Sequence, residues 1–313
     1  MNEEPSMKKL DFHIHIFDDI PIEKNVEYLK DMCERNGYVG VGIMALSYSS
    51  PGYHKTCNED ALKIREAMPG SYAFAALHHD RDFVEQAKEY MDQGFDGIKL
   101  LEGKPSCYRY YGYGYDHPRF EPFFAYAEEQ GIPLMMHNND PIEHWDRTKM
   151  TQRAIELGWC YDEEGFPSQE HFYKVFEDIF ERHPNLRAAV AHCGFYSKNR
   201  LDRAEELLGK YPNFMLDMTP ALCIYSELSA TPERTCELVR KYHDRLLFGT
   251  DADANLTGRA RALNDKKVKV MKAFYEGKGL SEVEGAQIYG LDLPEYMLEN
   301  IYYTNALRFM KKA

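Results

Sequence analysis

No stretch of this chain approaches the ~18 apolar residues that cross a bilayer, which excludes a helical membrane protein. None of its seven cysteines (33, 57, 107, 160, 193, 223 and 236) forms a CxxC pair. An odd set without close pairs points to reduced thiols rather than a disulfide framework. The opening Met-Asn-Glu-Glu-Pro-Ser has neither the basic flank nor the apolar core of a secretory signal, so a cytoplasmic protein is expected. On that reading the triplet Asn255-Leu256-Thr257 is a chance glycosylation match. Basic residues are also short: 38 Lys+Arg stand against 51 Asp+Glu, a net charge of −13. A surface for nucleic acid or anionic membrane needs the opposite balance, so neither partner is expected. Repeats, low-complexity tracts and Pro/Gly/Ser linkers are missing, leaving residues 1–313 without a marked domain boundary. Missing too are a GxSxG elbow, a GxxxxGK(S/T) phosphate loop and a complete GxGxxG; Gly112 and Gly114 lack the third glycine.

What is present is alternation of short apolar runs with amphipathic stretches. Strands are expected at Leu10–Ile16, Val39–Leu46, Tyr72–Leu77, Gly97–Leu101, Ile132–His137, Leu186–His192, Phe214–Met218 and Leu246–Thr250. Helical patterns separate them, for example Ile22–Arg35, Asp82–Gln93, Pro118–Glu129 and Ser168–Arg182. Runs such as Val-Gly-Val-Gly-Ile-Met are apolar on both faces, as in a parallel sheet covered on both sides. Eight strands each followed by helix are the count of an α/β (β/α)8 TIM barrel; an open doubly wound sheet is the alternative. The connection 138–184 is long enough for a lid over the site, and 281–313 reads as a helical tail packed outside the barrel.

The polar residues of these strands gather at one end. Asp11-Phe12-His13-Ile14-His15 carries two histidines two residues apart, so both imidazoles face one side of a strand, with Phe12, Ile14 and Ile16 expected on the other. His137 ends strand five, His192 ends strand six, and Asp251 follows strand eight. Active sites form at the C-terminal ends of barrel strands. A lone histidine there is more often a satisfied buried side chain, but four strands ending in His or Asp make a joint accident improbable. His13, His15, His137 and Asp251 are a ligand set for a zinc-type ion, with a position left for water. Asp251 is placed to take that water's proton and return it to a leaving group, and His192 to polarise a substrate oxygen or relay a proton.

With these pieces in order, the chain resembles the amidohydrolase superfamily, specifically its amidohydrolase-2 branch of hydrolases and decarboxylases. The resemblance runs from Leu-Asp-Phe-His-Ile-His through Gly97-Ile-Lys-Leu, Gly131-Ile-Pro-Leu-Met-Met-His137, Pro184-Asn-Leu-Arg-Ala-Ala-Val-Ala-His192-Cys-Gly and Leu247-Phe-Gly-Thr-Asp251 to Tyr-Thr-Asn-Ala-Leu-Arg-Phe. It implies metal binding by His13, His15, His137 and Asp251, one divalent ion (zinc, with manganese the alternative), a substrate role for His192, and a homodimer. Lys99 occupies the strand-four position that is carboxylated in binuclear relatives; here a plain pocket lysine facing a substrate carboxylate is preferred to a second metal. The loops after His137 (Asn-Asn-Asp) and Asp251 (Ala-Asp-Ala-Asn) depart from the branch, so substrate identity does not carry over.

The segment Cys107–Asp116 holds five tyrosines, an arginine and two glycines after strand four. It reads as a mobile loop in which Arg109 clamps a substrate carboxylate and Tyr108 and Tyr110 stack on a ring; a self-packed loop is the bland alternative. Asp11 is expected one layer below His13, supporting it. Three functions follow: a hydrolase acting on an amide, ester or lactone of a small molecule, a carboxy-lyase on the same site, or a barrel without catalysis that binds a ligand or partner. The complete ligand set disfavours the last.

Overall fold

Strand β1 (Lys9–His15) begins a sheet whose nine short strands are parallel throughout, in the order β8-β7-β6-β5-β4-β3-β2-β1-β9. The structure, a computed structural model, describes residues 7–17, 19–46, 58–197, 199–220, 222–254 and 257–311. Cys57 and the Asn255-Leu256 pair fall outside these. The remaining strands are β2 (Tyr38–Met44), β3 (Tyr72–Ala76), β4 (Gly97–Gly103), β5 (Leu134–Asn138), β6 (Ala188–Val190), β7 (Phe214–Asp217), β8 (Leu246–Leu247) and β9 (Ala252–Asp253). The last two are ends of one stave. Between them Phe248 O accepts from Phe12 N–H at 2.9 Å, and Asp251 N–H donates to His13 O at 2.9 Å, so both ends join β1. The result is the eight-staved TIM barrel, with helices on its outside.

The helices form where the sequence places apolar residues three and four apart. In Gln169–Arg182, Ser168 accepts from the His171 N–H as N-cap, and Phe176, Ile179 and Phe180 join the core between helix and sheet. Helix Phe83–Asp92 is capped the same way by Asp82, which accepts from Val84 and Glu85 N–H. The staves' outward residues, among them Ile14, Ile16, Val41 and Ile43, join these helical faces in one large core.

β1 does not alternate as expected. Its pairing with β2 shifts register between Asp11 and Ile14, the mark of a bulge. Phe12 therefore joins Leu10, Met44, Phe74, Met135, Met215 and Leu247 in a second, inner cluster, on the barrel side with His13. Asp11 lies instead in the seam with the eighth stave, accepting from Thr250 N–H at 2.8 Å and its hydroxyl at 2.6 Å. The tail also differs. Lys278–Val283 and Ala286–Leu291 form an unanticipated antiparallel hairpin, after which helix follows at Glu295–Glu299 and Asn305–Met310, where the sequence pattern places it. Phe309 then reaches Phe12 at a ring distance of 5.9 Å, which makes the tail a plug for the inner cluster rather than an external strap.

Candidate active site

Each candidate ligand is aimed by a bond made at its far end. His13 Nδ1–H donates to Asp217 Oδ2 at 2.6 Å, and His15 Nδ1–H to the Met44 carbonyl at 3.0 Å. With Nδ1 committed, both Nε2 lone pairs face inward, only 3.2 Å apart. Asp251 Oδ1 completes the group at 3.3 Å from His15 Nε2 and 3.9 Å from His13 Nε2. His13, His15 and Asp251 thus bring three acceptor atoms together, as a cation requires. Acceptors this close repel unless something positive lies between them. The outer bonds to Asp217 and Met44 are the kind that fix metal-ligating histidines. The donor set fits a divalent ion.

Burial shapes the protonation. It holds His13 well below the usual imidazole range, with the positive charge of Lys99 adding to the effect, so the ring is neutral and its Nε2 keeps a lone pair that can serve a metal. Asp251 is pushed up by burial, but the Lys267 ammonium leads the effects that outweigh this and hold it well below the carboxylate range. Lys267, from helix Gly258–Glu276, donates to the Asp251 carbonyl and lies 3.7 Å from Asp251 Oδ2. Burial lowers Lys99 to about 8; its Nζ sits 3.3 Å from His13 Nε2. Burial also lowers His192 to about 3, with Asp251 opposing and His137 and Lys99 assisting. His192 bonds through Nδ1 to the Thr219 carbonyl at 3.3 Å.

His137 lines the same cavity without joining the three-acceptor group: its Nε2–H donates to the Asn139 carbonyl at 2.9 Å. Burial, then Lys104, lowers it to about 4. The cavity measures about 390 Å³ and also presents Lys99, Lys104 and Lys267, with Asp140, Asp251 and Asp253. Lys104 Nζ meets Asp140 Oδ1 at 2.6 Å, and Tyr161 donates to Asp140 Oδ2 at 2.6 Å, while Trp159 faces the Lys104 ammonium at 4.7 Å. Burial raises Asp140, yet the Lys104 ammonium, with His137 and His144 nearby at 3.6 and 3.9 Å, keeps it well below its ordinary range. Residues 140–161 therefore form one wall of the cavity.

The tyrosine-rich segment departs from its expected role. Pro105–Tyr111 is a helix, with proline in its first turn and Gly112 left-handed at φ 77° past its end. Arg109 faces away from the cavity: Nε donates to Glu163 at 2.9 Å and NH1 to the Gly158 carbonyl at 2.6 Å, and its guanidinium stacks on Tyr161 and Phe166. Tyr108 packs edge-on against Phe172 and Phe166, and Tyr110 is half exposed against Tyr111. None of the three lines the cavity; they brace segment 158–172.

Sequence reasoning missed Lys104, Asp140, Asp217 and Lys267. Asp217 had a signal, since it ends a strand as His137 and His192 do. Lys267 had none, being one lysine among several on its helix.

The amidohydrolase family model Amidohydro_2 matches residues 11–311. The chain belongs to this family, whose members are metal-dependent enzymes. No curated protein sequence matches it. Among solved structures, an uncharacterised TIM-barrel protein from Bordetella bronchiseptica is 14% identical over 97% of this chain and 98% of its own, with a TM-score of 0.62. A probable 2-pyrone-4,6-dicarboxylic acid hydrolase from Acinetobacter baumannii, with citric acid bound, is 12% identical over 96% and 98%, TM-score 0.54. A dihydroxybenzoic acid decarboxylase from a Polaromonas species, with manganese and 2-nitroresorcinol, is 13% identical over 97% and 96%, TM-score 0.51. These identities establish the shared fold. Among the described residues no helix is long and apolar enough to cross a membrane.

Proposed function

We propose that this protein is a hydrolase that uses one divalent ion, zinc in preference to manganese, to cleave an amide, ester or lactone bond in a small carboxylate-bearing substrate. The observation that carries the reading is the convergence of His13 Nε2, His15 Nε2 and Asp251 Oδ1, each fixed from behind. His137 supplies the fourth ligand on exchanging its bond to the Asn139 carbonyl. The ion, when bound, supplies Lewis acidity that lowers the pKa of a water and polarises a carbonyl.

The chain's own groups do the rest. Asp251 stays ionised through the neutral range, so it accepts a proton only transiently and hands it on to the leaving group. His192 is neutral there, and with Nδ1–H on Thr219 its Nε2 accepts: it relays a proton rather than polarising a carbonyl. Lys99 orients a substrate carboxylate. Carboxylation of Lys99 would instead bring a second ion, which metal stoichiometry decides. A purified, metal-replete protein should hydrolyse at least one member of a broad amide, ester and lactone panel, with Asp251→Asn abolishing turnover. No turnover across the panel would sink the proposal.

A second reading is favoured by Lys99 in a cavity walled by Phe17, Trp159 and Phe195. Lys104 is paired with Asp140 and Lys267 lies against Asp251, which leaves Lys99 among these aromatic walls to hold an aromatic acid for loss of carbon dioxide. Release of carbon dioxide from hydroxybenzoates, without hydrolysis of the panel, would select it. From the family resemblance we also propose a homodimer, from the cysteine usage a cytoplasmic location, and from its length segment 138–184 as a lid; sedimentation tests the dimer.

A further inference from the structure

A second chamber lies beside the metal-competent cavity and shares two of its walls, Pro141 and Phe195. It measures about 260 Å³, comparable to the first, and is built largely of polar side chains: Gln169, Ser197, Asn199, Arg200 and Glu227. The partition is made by an unusual turn. From His192 to Phe195 four successive residues adopt left-handed backbone, with φ between 52° and 58°. This turn presents His192 to the first cavity and leaves Phe195 facing both.

Two groups in the chamber are unmatched. Gln169 is buried; its Nε2 donates to the Asp140 carbonyl at 2.9 Å, but its Oε1 has no partner among the described residues. An unpaired buried carbonyl oxygen is destabilising unless a ligand or water donates to it. Arg200 stacks on Tyr173 at 5.1 Å and pairs with no carboxylate among the described residues. Its neighbour Arg203, by contrast, is held by Glu177 and Glu170. An unpaired guanidinium in a cleft is a fork for a carboxylate.

We propose that this chamber is a binding subsite for the far end of an extended substrate: a chain leaving the reacting centre past Phe195 and ending in a carboxylate held by Arg200, with a hydroxyl or amide N–H donating to Gln169 Oε1. This rests on the hydrolase reading for where the near end lies. It adds that the substrate is elongated and acidic at both ends.

Metal-loaded protein titrated calorimetrically with α,ω-dicarboxylates from succinate to sebacate tests the proposal without requiring turnover. Affinity should rise at least tenfold once the chain is long enough to reach both chambers. Arg200→Ala should remove that gain while leaving succinate binding unchanged and the protein folded by circular dichroism, and Arg200→Lys should restore part of it. Ile142→Trp, at a partly exposed wall position, should fill the chamber and also abolish the gain. Affinity independent of length, or an Arg200→Ala loss equal for short and long acids, would overturn the subsite. A length preference without hydrolysis of any panel member would leave the chamber standing and remove the hydrolase reading. Hydrolysis indifferent to Arg200 and to length would do the reverse.

Discussion

Asp217→Asn should weaken metal binding by 10- to 100-fold while the barrel stays folded. Asp217 and the His13 ring are both fully buried, and with Asp217 ionised their 2.6 Å bond keeps the proton on His13 Nδ1 and the lone pair on Nε2. Burial pushes Asp217 up to about 8 against the pull of Lys99, so this tautomer gains as pH rises. The other contacts make asparagine a poor substitute. Thr219 N–H donates to Asp217 Oδ1 at 3.2 Å and its hydroxyl to Oδ2 at 3.1 Å. If the amide oxygen stays on His13, the NH₂ group faces the Thr219 N–H, donor to donor. If it flips, His13 loses its acceptor and can move its proton to Nε2, where metal should bind. Outer partners of metal-bound histidines typically contribute 10- to 100-fold in affinity, about 1.4–2.7 kcal/mol. Competition with a chromophoric chelator measures this directly, with circular dichroism as the folding control. A folded variant whose affinity stays within threefold of the parent would refute the claim that Asp217 sets the His13 tautomer.

Metal-free protein should lose stability as pH falls from about 6.5 towards 3. His192 has its folded value lowered to about 3 by burial, and His137 to about 4. Both bind protons better when unfolded, so their stabilisation is complete above the unfolded value near 6.5 and disappears on acidification. Urea melts across this range should show the loss, and His192→Gln should flatten it; an unchanged profile in the variant would count against a neutral buried His192. Arg109→Ala should lower the melting temperature by a few degrees, since it removes bonds to the Gly158 and Cys160 carbonyls and stacking on Tyr161 and Phe166. It should leave succinate affinity intact; lost affinity with an unchanged melt would return Arg109 to the substrate. Gly249→Ala should cost at least tenfold in metal affinity, because a Cβ there would stand 2.7 Å from His13 Cβ and 2.8 Å from Thr219 Cγ2. Unchanged affinity would show that β1 yields more easily than its packing implies.

The barrel was legible because period-two and period-3.6 patterns write burial directly into the chain. The His-x-His pair was legible for the same reason, although the bulge at Phe12 was not: one inserted residue changes facing without changing composition. The hairpin had a signal that went unused. Glu284-Gly285 joins Val283 to Ala286 with both turn residues at positive φ, the geometry that such two-residue turns require. Helix Pro105–Tyr111 likewise carried proline at its start and glycine after its end, but its tyrosines suggested a surface for ligands rather than a brace. Lys104 and Asp140 were illegible in a stricter sense. They are 36 residues apart, and only the barrel's closure makes them a buried pair.

The backbone adds a constraint that residue identity conceals. Among described non-glycine residues with positive φ, Asn139, His192, Cys193, Phe195 and Asp251 all follow β5, β6 or β8, at the end of the barrel where the ligands gather. Each such residue costs roughly 1 kcal/mol or more relative to right-handed backbone, and glycine would remove most of that cost. At His192 and Asp251 glycine would also remove the side chain to which the proposed reaction assigns proton transfer, so strain and the proposed chemistry occupy the same residues. The compensating bonds are in place: Asn139 N–H to the Gly103 carbonyl at 2.9 Å, His192 N–H to Thr219 Oγ1 at 3.1 Å, and Asp251 N–H to the His13 carbonyl at 2.9 Å. These bonds tie the ends of β5, β6 and the eighth stave to β4, to the loop after β7 and to β1. The turns that aim His192 and Asp251 therefore depend on neighbouring staves, so a substitution at Thr219, outside the proposed metal-ligand set, should disturb His192 as surely as one beside it.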